Sequence, residues 1–435
     1  MLKAFQKQIS EHFSILDEER FLLACSGGVD SMVLAALCAR ANLKFAMAHC
    51  NFRLRGTESD ADEDLVRKTA SKYKVDFYIT HFDTVGYVNK NKVSVQMAAR
   101  ELRYTWFTQI MDENTLGALV TAHHADDNLE TFLINLSRGT GIEGLTGIPP
   151  KNGNIYRPLL SFSREQIEAY ARTERIEWRE DASNAETKYL RNRIRHQIVP
   201  ELKKLNPTFL ENFKKTQEHL SGTAAFLNAT IEKLKTSLFV NNNGVVTISI
   251  ADLLELHPLK TVLYELFKEF GFTAWDDINA LLTASSGKEV RSKTHRLVKD
   301  RDTLLLAEIK ESARNIYAIN VPQKRIDRPI TLLFDDVSEI DETSGNVLYV
   351  DKETLKYPLT VRKWQKGDYF YPLGMQGKKK LSKYFKDEKV DIIAKDDQWL
   401  LFSGNDLVWV IGRRGDDRFK VNAHTKQIVK IIFNK

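Results

Sequence analysis

An α/β fold is predicted: a doubly wound parallel sheet, followed by a small helical domain and a small mixed or β C-terminal domain. Three observations predict it. Apolar runs alternate with helical patterns from residue 20 to about 160, as expected of strands joined by crossover helices. Polar residues able to do chemistry cluster at the ends of the first, second and fourth runs, where ligands of such sheets bind. Beyond residue 345 the pattern changes to short β-rich runs.

Residues 21–25 form an unbroken apolar run, expected of a strand buried on both faces. Ser26-Gly27-Gly28-Val29-Asp30-Ser31 follows and leads into a helical pattern at 31–41. Adjacent glycines let the backbone approach a phosphate closely, and a helix start adds N–H groups and a positive dipole end. Ser26 and Ser31 add hydroxyl donors, and Asp30 adds a charge able to hold Mg²⁺. A Walker-type loop is excluded, because neither Gly287-Lys288 nor Gly377-Lys378 satisfies that motif. Further strands are predicted at 43–49, 75–81 and 116–122, with helices at 58–73 and 94–111. A helix is predicted at 162–175, with Ser163 as N-cap and Gln166 in its first turn. Residues 202–235 have helical spacing, and Asn241-Asn242-Asn243-Gly244 is a turn. Residues 245–250 read as a strand, and 253–270 and 274–282 as helices. The acidic stretch 335–341 reads as loop; 346–350, 359–363, 399–402, 407–411 and 428–433 read as short strands. Three domains are expected, at 1–215, 216–315 and 345–435.

Hydrophobic residues make up 43% of the 435, enough for sizeable cores, yet no apolar run reaches 18 residues, so no membrane span is expected. The first 19 residues are polar and mixed in charge, unlike a secretory leader. Three cysteines do not make a disulfide framework, and a reducing cytoplasm is the expected home. Net charge is only +6, but residues 345–435 hold 19 Lys and Arg against 11 Asp and Glu. That end is expected to meet a polyanion.

Further groups have the makings of a site. After the second strand, His49 and Asn51 with Arg53 and Arg55 suit the base, ribose or phosphate of a nucleotide. At 94–111, Gln96, Arg100 and Arg103 share a helix face, either as a phosphate clamp or as partners for acids on a neighbouring helix. After the fourth strand comes His123-His124-Ala125-Asp126-Asp127, with Glu130 one turn on. Such acids complement a helix dipole, or coordinate Mg²⁺ and contact an adenylate. Zinc is disfavoured, since no cysteine lies near enough to complete a ligand set. Residues 138–147 form a glycine-rich loop.

Together these residues resemble the bacterial tRNA(Ile)-lysidine synthetases, a branch of the ATP pyrophosphatase (PP-loop) superfamily. The match includes the 26–31 loop, His49 and Asn51, Leu54-Arg55-Gly56, Arg100 with Arg103-Tyr104, and His123 to Asp127 with Glu130-Thr131. It continues through Arg157-Pro158-Leu159, residues 189–200, Gly367-Asp368, Pro372, Gly374, Lys379-Lys380-Leu381 and Trp409-Val410. Phe52 stands where the family often has histidine, and the segment around Lys395 lacks its usual arginine.

The resemblance implies a two-step reaction. The C2 oxygen of the wobble cytidine of tRNA(Ile) with a CAU anticodon attacks the α-phosphate of ATP and releases pyrophosphate. The ε-amine of L-lysine then attacks C2 and expels AMP. It implies ATP contacts from Ser26, Gly27, Gly28, Val29, Asp30, Ser31, His49 and Asn51, and Mg²⁺ on Asp30 and Asp127. Catalytic roles fall to Asp30, Arg103, His123 and Asp127, and tRNA contacts to Arg195, Lys378, Lys379 and Lys380. A homodimer is left open. Two rival readings remain. A PP-loop tRNA thiolase generally uses paired cysteines, whereas Cys25, Cys38 and Cys50 form no Cys-x-x-Cys. A non-catalytic RNA-binding protein would have let the acidic and serine set decay.

Overall fold

The computed structural model describes residues 1–180, 190–309, 316–320, 323–341 and 343–434. Two compact units divide the chain, Met1–Asn228 and Ala229–Lys435. The first unit runs β1 (Phe21–Ala24), α1 (Val29–Arg40), β2 (Phe45–Asn51), α2 (Thr57–Tyr73), β3 (Phe77–His81), α3 (Thr84–Asn91) and α4 (Val95–Glu113). It continues with β4 (Leu119–Val120), α5 (Ala125–Arg138), β5 (Lys151–Asn152), β6 (Ile155–Tyr156) and α6 (Arg164–Thr173).

The strand order is β3-β2-β1-β4-β6-β5, and every pairing is parallel except that of the edge strand β5. Side chains of β1 alternate between two layers. Phe21 and Leu23 pack with Val33, Leu34 and Leu37 of α1, while Leu22 packs with Phe107 and Met111 of α4. Helices therefore cover both faces, which is why the β1 run is apolar throughout. The sequence reading omits α3 and the β5–β6 hairpin. Only Thr84 of α3 is buried, so no apolar periodicity marks it, and two-residue strands are too short to show a period. Because β2 and β4 flank β1 on opposite sides, the loops after β1 and β4 leave the sheet on either side of a topological switch point.

In the second unit, β7 (Val240–Asn242), β8 (Val245–Ser249), β9 (Glu289–Arg291), β10 (His295–Asp300) and β11 (Thr303–Glu308) form an antiparallel sheet in the order β7-β8-β11-β10-β9. Of the two expected helices, 274–282 is present as Trp275–Leu281, whereas 253–270 is broken into Ile250–Leu254 and Leu259–Phe267, with Pro258 between them. The sheet goes beyond the helical reading of 216–315. Its β10–β11 turn passes through Arg301 at φ +50°, with neither glycine nor proline to announce it.

Among the described residues, a five-stranded, a four-stranded and a two-stranded sheet, with short helices at Leu381–Asp387 and Ile392–Asp396, make up the C-terminal region around buried Trp409. The stretch 335–341, read as loop, is corrected in part: Thr331–Val337 is a strand paired with Ile428–Asn434. Leu332 and Phe334 face the core, but Asp335 and Asp336 after them are both exposed, so the acidic end breaks the alternation that would mark the strand. That strand and Tyr317–Ile319 pair into the C-terminal sheets, which thus draw on residues before Gly345. Among the described residues, no helix is long and apolar enough to cross a membrane.

Leu23 is fully buried in the middle of the parallel sheet. Leu23→Ala is expected to cost about 2–5 kcal/mol, read as a lower urea midpoint for the transition of the first unit. A midpoint unchanged from the parent would contradict the assigned core.

Candidate active site

The 26–31 loop is braced from within. Ser31 Oγ donates to the Gly28 carbonyl at 2.9 Å and accepts the Ser26 amide at 3.2 Å. Gly27 takes φ +90°, a region that strains any side chain, and an added Cβ would meet Asp62 at 3.4 Å. Ser26, Gly28, Val29 and Asp30 face a cavity of about 1120 Å³.

The start of α5 forms the opposite wall. His124 Nδ1 accepts the Asp127 amide at 3.3 Å, and Asp127 Oδ2 accepts the His124 amide at 3.1 Å, a reciprocal cap. The free edge of His124 then faces two acids: Nε2 lies 3.6 Å from Asp30 Oδ1 and 3.4 Å from Asp127 Oδ2. Asp30 Oδ1 is buried and accepts no hydrogen bond. Two carboxylates converging there, one with an unfilled oxygen, suit a hard cation that takes its remaining ligands from water and phosphate. Among the described residues, no group of three His, Cys, Asp or Glu could hold a metal. Burial pushes the Asp30 pKa up against the pull of His124 and Arg164. Burial acts the same way on Asp127, but His124, Arg191 and Arg195 outweigh it and hold that pKa down.

Arginines from later in the chain close the site. Arg164, first residue of α6, donates from Nη1 to Asp30 Oδ2 at 2.5 Å. Glu130, buried on α5, accepts from Arg191 Nε at 2.8 Å and Arg195 Nε at 2.5 Å. Arg195 Nη2 also reaches Asp127 Oδ1 at 3.1 Å. Arg195 sits in a π turn, Ile194–Ile198, a local widening that recurs at functional sites.

A second cavity of about 360 Å³ shares Ser26, Asp30, Arg103, Asp127 and Arg195 with the first. Ala24, Ala48, Phe52, Tyr104 and Phe107 give it apolar walls, suited to the flat face of a base. His123 lines it as well, with Nδ1 3.0 Å from Thr121 Oγ1. Burial lowers its pKa to about 4, so the ring is neutral at pH 7.

Of the residues expected at the site, Ser26, Gly28, Val29, Asp30, Arg103, Asp127 and Arg195 line the larger cavity, and Ser31 and His123 the smaller. Gly27 lies behind the loop against Asp62. His49 and Asn51 line neither cavity. His49 Nδ1 bonds the Cys25 carbonyl at 2.9 Å, just before the loop, and Asn51 Nδ2 donates to Asp60 at 3.0 Å and Glu63 at 3.2 Å on α2. Arg100 stacks on Tyr104 rather than joining Arg103. In the second unit, Lys378 Nζ lies 3.4 Å from the Tyr369 ring centre, Lys379 pairs with Asp387 at 2.8 Å, and Lys380 is exposed. Tyr189 lies outside the described residues. Sequence reasoning missed Arg164, Arg179 and Asp62. Arg164 lies 134 residues from Asp30, and its only local mark is the Ser163–Gln166 capping box.

A parallel sheet with a glycine-serine phosphate cradle at its switch point defines a PP-loop domain, and residues 1–202 match the family of that description. Residues 241–309 match the TilS substrate binding domain and 359–432 the TilS substrate C-terminal domain. The chain belongs to the tRNA(Ile)-lysidine synthase family. It is 41% identical over 431 residues to the tRNA(Ile)-lysidine synthase of Parabacteroides distasonis, covering 97% of this chain and 98% of the relative. The corresponding synthase of Bacteroides thetaiotaomicron is 37% identical, covering 97% of both chains. That of Geobacter sulfurreducens is 30% identical, covering 99% of this chain and 97% of the relative.

The neutral His123 has a consequence for stability. Below pH 6.5 the unfolded chain takes up a proton that folded His123 refuses until about pH 4. Stability is therefore expected to fall as pH drops through that window and to level off for this group beneath it. Urea midpoints against pH check this, with a shallower decline expected for His123→Gln.

Proposed function

We propose that this chain joins L-lysine to C2 of the wobble cytidine of tRNA(Ile) bearing the CAU anticodon, at the expense of ATP. One observation carries the reading: a phosphate cradle, two converging carboxylates and the Arg103, Arg164 and Arg195 guanidiniums meet on one cavity at the switch point. The cytidine C2 oxygen bonds to the α-phosphorus, the α–β phosphate bond breaks, and pyrophosphate leaves. The lysine ε-amine then bonds to C2, the C2–O bond breaks, and AMP leaves.

The 26–31 loop and the α1 N-terminus receive the phosphates. Asp30 and Asp127 would hold Mg²⁺, which when bound neutralises phosphate charge. Arg103 and Arg195 stabilise charge growing on the α-phosphate and on the activated cytidine, and neutral His123 faces the base in the smaller cavity. His49 braces the end of β1 that leads into the cradle. Regions 216–315 and 345–435 hold the tRNA body, with Lys378 and Lys380 on its phosphates. The cytoplasm, where the tRNA is, is the proposed location.

An amine nucleophile is favoured over sulfur. Burial pushes the Cys25 thiol to about 11, the Cys50 thiol to about 12 and the Cys38 thiol higher still, so none offers a thiolate at neutral pH.

Labelled lysine is expected to enter a tRNA(Ile) CAU transcript, with pyrophosphate released only when ATP, Mg²⁺ and tRNA are all present. Sulfur incorporation, or no release at all, would overturn the reading. Asp30→Asn is expected to abolish turnover while tRNA affinity stays within about twofold, since one cation site is lost and the tRNA surface is not. Replacing Lys378, Lys379 and Lys380 by Ala is expected to raise KM for tRNA. The slope of log KM against log salt then falls by about 2 rather than 3, because Asp387 already neutralises Lys379.

A further inference from the structure

Asp62 of α2 is only 7% exposed and lies directly behind the phosphate cradle. A Cβ on Gly27 would meet its Cβ at 3.4 Å and its carbonyl oxygen at 3.5 Å. Its two carboxylate oxygens hold two different arginines. Oδ2 accepts from Arg55 Nη2 at 2.8 Å, and Oδ1 accepts from Arg179 Nε at 2.9 Å. Arg179 is tied down twice more: its amide donates to the Gly27 carbonyl at 3.0 Å, and its Nη2 donates to Glu58. Both guanidiniums are about one-third exposed and line the larger cavity beside Ser26 and Gly28.

The cavity beside the cradle therefore carries two separate carboxylate–guanidinium groups. In one, Asp30 and Asp127 converge and are paired with Arg164 and Arg195; in the other, Arg55 and Arg179 share Asp62, with Glu58 also on Arg179. A planar guanidinium offers paired donors that match phosphate oxygens. An acid between two such groups lowers their mutual repulsion and fixes where they point. Without the Asp62 charge the two arginines lose their shared anchor, and Arg179 is left to Glu58 and its own backbone bond.

We propose that Asp62 is a positioning residue for the adenylation step. By gripping Arg55 and Arg179 against the cradle, it aims them at the β- and γ-phosphate oxygens of ATP and then at the departing pyrophosphate. This assignment rests on the reading of the loop as a pyrophosphate site. A carboxylate that merely tied α2 to the segment around Arg179 would affect every nucleotide alike. A positioning role affects only ligands that carry the outer phosphates.

The test is calorimetric titration of the full chain with magnesium pyrophosphate and, separately, with AMP. Asp62→Asn keeps the shape and removes the charge. It is expected to weaken pyrophosphate binding by about tenfold or more, the loss of a charge-assisted contact, while AMP affinity stays within twofold. Arg55→Gln and Arg179→Gln are each expected to reproduce the loss. Added to Asp62→Asn, either arginine change is expected to cost less than its effect alone, because the residues act as one unit. Equal weakening of both ligands, or no weakening of pyrophosphate, overturns the proposal. Should Asp62→Asn fail to fold, normal pyrophosphate binding by both arginine variants overturns it. A parent protein that binds no pyrophosphate overturns the functional reading itself.

Discussion

Carboxylates largely withdrawn from solvent, each matched by guanidiniums, hold this site together. Asp30, Asp127 and Glu130 lie at the mouth of the sheet, facing Arg164, Arg195 and Arg191. An unmatched buried ion costs several kcal/mol, so each acid depends on an arginine delivered by a distant segment. The segments that deliver them, α6 and the helical stretch after Leu190, are consequently held over the strand ends by charge as well as by apolar contact. Leu129, Ile194, Val199 and Phe213 supply the apolar part.

The same balance prepares the cavity for a polyanion. A triphosphate brings negative charge to a cavity already lined by eight carboxylates. It can be accommodated only if cations answer it, and the cavity answers from both sides, with guanidiniums on its walls and an acid pair suited to a metal. Fixed donors of this kind need little rearrangement as charge develops on the reacting phosphate. The apolar walls of the smaller cavity lower the local dielectric and strengthen those interactions.

Charge in the C-terminal region follows another logic. The run at 378–380 reads as three equivalent cations, but folding sorts them. Lys379 is spent on Asp387, Lys378 lies over Tyr369, and Lys380 stays exposed. Elsewhere Arg362 and Arg418 are bound by Asp368 and Asp416. A count of lysines and arginines thus overstates the unpaired cations a partner would meet, although pairing leaves the net charge itself unchanged.

Local chemistry made much of the molecule legible from its sequence alone. The four strands β1 to β4, the cradle and the capping box at Ser163 all follow from interactions between residues a few positions apart: apolar period, glycine freedom and side-chain caps. The clustering of the cradle with His123 and Asp127 followed too, because a parallel sheet brings the ends of its strands to one edge. Pairings across the chain were decided only by the tertiary structure. Arg164 meets Asp30 across 134 residues and Arg179 meets Asp62 across 117, and no local pattern encodes such a distance. Likewise His49 and Asn51 carry the right chemistry at the right strand end, but the crossover into α2 turns them inward onto Cys25, Asp60 and Glu63. Which polar group reaches the cavity, and which supports it, depends on packing that forms only when the helices settle on the sheet.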